Sequence, residues 1–134
     1  MSFSDPEENS ILDFRLAAWV TAGGVYLSLH NGSPLDDASG AAATEFALGV
    51  DGYARVLHTA WTAAAAGIVR NTGAINFPNP VASWGNATHV GLWIDANSQL
   101  VADLKGWGTI TPPRVIAAGF APSFATNALV IQLD

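Results

Sequence analysis

The apolar repeat of this chain changes once, at Gly23-Gly24, and does not change back. Before the glycines, Ile11, Leu12, Leu16 and Trp19 recur at three-to-four spacing, the stripe of one helix face. Asp5-Pro6 reads as N-cap and first helical position, and Ser4 with Glu7 offers the same box one residue earlier. The acids Asp5, Glu7 and Glu8 fall where the helix dipole favours negative charge. A helix over residues 4–19 is predicted. After the glycines the period is two: Val25, Leu27 and Leu29 alternate with Tyr26, Ser28 and His30, a half-buried strand.

The rest of the chain keeps that short-strand character. Residues 31–44 are small and polar and read as a surface loop, and residues 45–48 as a short edge strand. Residues 53–61 form a strand that puts Tyr53, Arg55, Leu57 and Thr59 on one face. Residues 68–70 and 74–77 flank Asn71-Thr72-Gly73 as a hairpin-like pair. Four alanines between Thr62 and Gly67 are too few to nucleate a helix. Residues 88–94 carry the strongest strand signal, and residues 100–104 are its expected partner across a turn at 95–98. Pro112-Pro113 makes its neighbourhood an edge or bent strand. Residues 123–125 and 129–133 close the chain. One short N-terminal helix with roughly eight or nine short strands predicts a mainly β fold, an antiparallel β-sandwich or barrel. No βαβ alternation, heptad or internal repeat is present, so the chain is no fibrous shaft by itself. The expected organisation is a helical docking or assembly segment, residues 1–24, and a single β-sandwich domain, residues 25–134.

Composition narrows function. The 134 residues include no cysteine, so disulfides, thiolate zinc sites and thiol nucleophiles are excluded. Net charge is −6 with five scattered basic residues, which speaks against a nucleic-acid partner. No apolar run approaches the roughly 20 residues of a membrane span, so no membrane partner is expected. The acidic, polar N-terminus is unlike a secretory signal, which makes a protein made or assembled inside a cell the default expectation. Charged residues are only 12% of the chain, against five Trp and six Phe. Such a surface suits a subunit buried among neighbours, although β proteins in general carry many Thr, Val, Gly and aromatic residues.

The search for chemistry returns little. His30, His58 and His89 are not at metal-ligand spacing, and neither a G-x-S-x-G elbow nor a phosphate loop occurs. Asp36-Asp37, alone or with Asp51, reads as solvated loop carboxylates rather than an acid/base dyad or a calcium site. No catalytic, cofactor or metal residue is assigned. Trp84, Trp93 and Trp107 are a candidate aromatic face that could stack sugar rings, or else core and interface residues. Arg55 is expected to stack on an aromatic ring or pair with a carboxylate such as Asp95, and His89 to bond a backbone carbonyl.

An ordered series of short motifs runs through residues 4–134. It comprises Ser4-Asp5 with Glu8-Asn9 and Ile11-Leu12-Asp13, then Leu27-Ser28-Leu29-His30 with Ser33-Pro34, then Gly52-Tyr53-Ala54-Arg55. Ile75-Asn76-Phe77-Pro78, Ser83-Trp84-Gly85, Thr88-His89-Val90-Gly91 and Pro122-Ser123-Phe124-Ala125 follow. By this series the chain resembles a family of small virion proteins of tailed bacteriophages, often labelled phage tail fibre protein. It departs from the family at Thr44-Glu45-Phe46, where a T-E-V is usual, and in the turn at 95–98. The resemblance implies a non-enzymatic virion structural protein, assembled in the bacterial host cytoplasm, with other virion proteins as partners and no cofactor. It leaves open a capsid cement or decoration subunit on the major capsid protein, the favoured reading, or a tail, fibre or adaptor subunit among tail proteins. A glycan-binding receptor module is the competing class.

Two expectations concern assembly. Phe3, Leu12, Phe14, Leu16 and Trp19 place apolar groups on more than one side of the first segment, so they are candidate assembly contacts. Deleting residues 1–20 should then leave a folded sandwich that no longer joins its particle. Low surface charge and exposed edge strands call for self-association, for which cyclic symmetry avoids runaway growth. The resemblance to cement proteins favours a homotrimer.

Overall fold

The computed structural model describes residues 4–34 and 41–132. Helix α1 (Asp5–Thr21) is followed by β1 (Val25–His30), β2 (Val56–His58), β3 (Ile68–Arg70) and β4 (Ile75–Asn76). Then come β5 (Gly85–Trp93), β6 (Leu104–Ile116), β7 (Ser123–Phe124) and β8 (Val130–Gln132). The strands form a four-stranded sheet, β2-β1-β5-β6, and two pairs, β3-β8 and β4-β7, all antiparallel. The fold is mainly β and sandwich-like, with one N-terminal helix.

Ser4 is the N-cap of α1, in extended conformation, with Pro6 in the first turn beside Asp5, Glu7 and Glu8. The helix stops at Gly23 and Gly24, whose φ values of 124° and 111° suit glycine. Leu12 and Leu16 are buried in the same apolar cluster as Leu27, Leu29, Val69 and Ile75. Two helix side chains also satisfy loop amides: the Gly67 N–H donates to Asn9 Oδ1 at 2.8 Å and the Ala64 N–H to Asp13 Oδ1 at 2.9 Å. The helix therefore closes the core.

Several pairings differ from expectation. β3 and β4 do not form a hairpin: each pairs with a strand from the C-terminal end. The buried Asn71 shows why. Its amide nitrogen donates to the carbonyls of Gly73 and Ala125, and its oxygen accepts from the Leu129 N–H, so residues 125–129 are bound where a hairpin partner would lie. The partner of β5 is not residues 100–104 but the thirteen-residue β6. Asp95 caps the intervening turn by accepting from the Asn97 and Ser98 N–H groups, and Val101–Asp103 makes a 3-10 turn before β6 begins. The register of β5 and β6 shifts between Ala87 and His89, which leaves Ile110–Pro113 bulged out of the ladder. Proline is tolerated there because no ladder hydrogen bond is required of it. Glu45 makes one bridge to His30 rather than an edge strand, and of residues 53–61 only β2 is regular. β1 is buried on both faces rather than one.

Candidate functional site

The second burial of β1 and β5 has a specific cause. Leu27 and Leu29 of β1 lie opposite Leu92 and Val90 of β5 and face the core. On the other face lie Ser28, His30, Gly91 and Trp93, where a polar sheet surface would ordinarily meet water. Instead, residues 44–55 fold over it. Arg55 stacks on Trp93, its Cζ 3.7 Å from the ring centroid. It also forms a two-pronged pair with Glu45, Nε to Oε1 at 2.9 Å and Nη2 to Oε2 at 2.7 Å. A third donor, Nη1, reaches the Asp95 carbonyl at 2.9 Å. The side chains of Arg55 and Glu45 are 0% and 3% exposed. Tyr53 donates its hydroxyl to Glu45 Oε1 and accepts the Leu29 N–H, both at 2.9 Å. It thereby replaces the strand partner that β2 is too short to provide.

Beneath this cover runs a chain of hydrogen bonds with one consistent direction. Trp93 Nε1–H can only donate, and it reaches Ser28 Oγ at 2.7 Å. The Ser28 hydroxyl then donates to His30 Nε2 at 2.6 Å, which places the imidazole proton on Nδ1, bonded to Thr44 Oγ1 at 3.1 Å. A serine and a histidine at this distance would suit nucleophilic chemistry. Here both are fully buried, the serine already holds the indole, and the third partner is a threonine rather than a carboxylate. The arrangement fastens two layers together and offers a substrate no access.

Electrostatics follow from burial. His30 is pushed down from 6.5 to about 4, first by burial and then by the charge of Arg55. Burial and the charge of Glu45 drive the Tyr53 hydroxyl far above its ordinary value, so it remains a donor. Asp95 is held below its ordinary value by the Asn97 and Ser98 amides. Because the unfolded chain protonates His30 below 6.5 and the native network refuses that proton down to about 4, stability falls as pH drops through this window. A loss of about 3 kcal/mol is expected from this group. Urea unfolding from pH 7 to 4 checks it: His30→Gln should flatten the slope, and an equal slope in both proteins would contradict it.

Gly91 is where the layers meet most closely. A Cβ there would lie 2.5 Å from Ser28 Oγ, 2.9 Å from His30 Nε2 and 3.1 Å from Trp93 Nε1. Gly91→Ala is expected to destabilise by about 1–3 kcal/mol through overpacking, measured as a lower urea midpoint.

The structure separates the candidate residues. Leu12 and Leu16 are buried in the core and unavailable for docking, and Trp19 is half-buried against it. Phe14 is 71% exposed. Phe3 lies outside the described residues. The three tryptophans share no platform. Trp93 is 0% exposed beneath Arg55 and has no free ring face for a sugar. Trp84 packs among Phe46 and Tyr53 and donates to the Asp51 carbonyl. Trp107 alone is well exposed, at 42%, and leans on His89 of the neighbouring strand. His89 bonds Thr88 Oγ1 rather than a backbone carbonyl. Arg55 does stack on an aromatic ring, but its carboxylate is Glu45, and Asp95 contributes only its carbonyl. The Thr44-Glu45 and Gly52-Tyr53-Ala54-Arg55 motifs held that signal. Among the described residues no group of three or more His, Asp or Glu side chains could hold a metal ion.

The network thus joins motifs scattered over the chain: Ser28 and His30, Thr44 and Glu45, Tyr53 and Arg55, and Gly91 with Trp93. A family model described as podophage GP4 fiber I protein gp80 matches residues 2–132, which takes in all of them. No curated protein matches the chain. The chain is a bacteriophage virion structural protein and belongs to the podophage GP4 fiber I protein gp80 family.

Proposed function

We propose that the protein is a non-enzymatic subunit of the phage fibre apparatus, held in the particle by contacts with tail proteins and with further copies of itself, as a homotrimer. The observation that carries this reading is the family match, to a fibre protein, along residues 2–132. The sealed polar network supports it, since its buried charges and hydroxyls build a rigid body rather than a reactive cleft. The outward side of α1 around Phe14 is the part of the helix left to meet a neighbour. A second reading, a capsid cement or decoration subunit on the major capsid protein, is favoured by the sandwich itself, whose described residues carry no repeated shaft element.

Antibody labelling of purified particles together with a density map tests both. Copies confined to the tail, in contact with one another, are expected. Copies spread over the shell would replace the fibre reading with the cement reading, and absence from the particle would end both. Phe14→Ser should fold normally and lose at least half its incorporation; undiminished incorporation would remove the helix from the docking surface.

A further inference from the structure

β6 ends the four-stranded sheet and pairs with β5 alone, so one side of this thirteen-residue strand faces no strand among the described residues. β8 stands at an edge of its own two-stranded pair. Two cavities, of about 350 Å³ and 500 Å³, adjoin between these strands and share Val90, Gly108, Leu129 and Val130 in their walls. Together they make a groove along β6.

The charge of this groove is opposite to that of the protein. Arg15 and Lys105 line one cavity and Arg114 the other. Of the five basic residues in the chain, Arg55 is buried in its ion pair, so three of the four exposed cations converge here. Among the described residues no Asp or Glu lines either cavity, although the chain has 11 acids and a net charge of −6. Among the described residues neither Arg15 nor Arg114 has a carboxylate partner. Of the described acids, Asp5, Glu7, Asp51 and Asp95 line neither cavity and are exposed.

We propose that the groove along the free edge of β6 is the self-association site of this protein and takes an acidic surface of a second copy. Charge complementarity within one sequence carries the choice of occupant: the groove is basic and the remaining surface is acidic. It also sets the symmetry. A groove-to-groove contact would bring the cations of two copies face to face. The groove must therefore meet a different surface of its neighbour, a head-to-tail contact that closes into a ring. The inference rests on the self-associating subunit proposed above and names the surface it uses.

The test is sedimentation of the purified full-length chain over a concentration and salt series. The wild type should associate at low salt and weaken at least tenfold between roughly 50 and 500 mM salt, because partly exposed charge pairs are screened. Lys105→Glu/Arg114→Glu should weaken association at least tenfold, while Arg70→Glu, which reverses the fourth exposed cation, should leave it unchanged. Thermal unfolding confirms that each variant is folded. A wild type monomeric up to about 1 mM, a contact free energy weaker than about −4 kcal/mol, would overturn the proposal. Equal weakening by Arg70→Glu would overturn it as well. Neither result bears on particle location, which labelling reads separately.

Discussion

Arg55→Ala should unfold at a much lower urea concentration than the wild type, with a loss of about 3–5 kcal/mol at neutral pH. Removing the guanidinium strands the Glu45 carboxylate, which is 3% exposed and would keep only the Tyr53 hydroxyl as a partner. It also uncovers Trp93 and leaves the Asp95 carbonyl without its donor. For a domain whose total stability is about 5–15 kcal/mol, this is a large share. Glu45→Gln should cost less, because the neutral amide leaves only the guanidinium unpaired while Trp93 and the Asp95 carbonyl still hold it. The double variant Glu45→Leu/Arg55→Met should recover part of the loss, since a buried pair replaced by apolar groups of similar volume is often tolerated. Equilibrium unfolding of the four proteins measures this. A loss under about 1 kcal/mol for Arg55→Ala would mean that the pair behaves as a solvated surface bridge.

Deleting residues 1–20 should abolish cooperative folding. The truncation removes Leu12 and Leu16 from the core and withdraws the acceptors of the Gly67 and Ala64 N–H groups. Leu12→Ala and Leu16→Ala should each cost about 2–5 kcal/mol by leaving a cavity, so the whole helix exceeds what a domain of this size can lose. Amide dispersion in NMR and the calorimetric transition report the outcome. A truncated chain that still melted cooperatively near the wild-type temperature would support residues 1–24 as a separate docking segment. Phe14→Ser separates the two roles, because Phe14 lies outside the core and its loss should leave the melting temperature within a few degrees.

What could be read in advance was local. The span of α1, its proline in the first turn and its glycine stop follow from residues within a few positions of one another. β1 coincides with its expected bounds, and β5 takes in residues 88–93 of the expected 88–94, because a two-residue alternation is legible over any short window. The bend at Pro112-Pro113 was legible because proline lacks an amide hydrogen wherever it stands.

Pairing and cover were not local. Asn71 drew the C-terminal segment onto β3 through bonds to residues 54 and 58 positions away. Ser28 meets Trp93 across 65 positions, and Arg55 reaches Asp95 across 40. Tyr53 and Arg55 could be placed on one face from the strand period, but Asp95 was the carboxylate expected beside Arg55, and only the fold brought Glu45 there instead. Trp93, between Leu92 and Ile94, and Trp107, between Gly106 and Gly108, both stand in strands. Only the fold over residues 44–55 buries the first and leaves the second in the open. By itself the sequence determined α1, β1 and most of β5, the charge balance and the series of motifs, because these depend on neighbours along the chain. The tertiary structure alone decided which strands pair, which carboxylate is buried with Arg55 and where the exposed cations gather. Those depend on contacts whose loop-closure cost is repaid only when the whole sandwich closes.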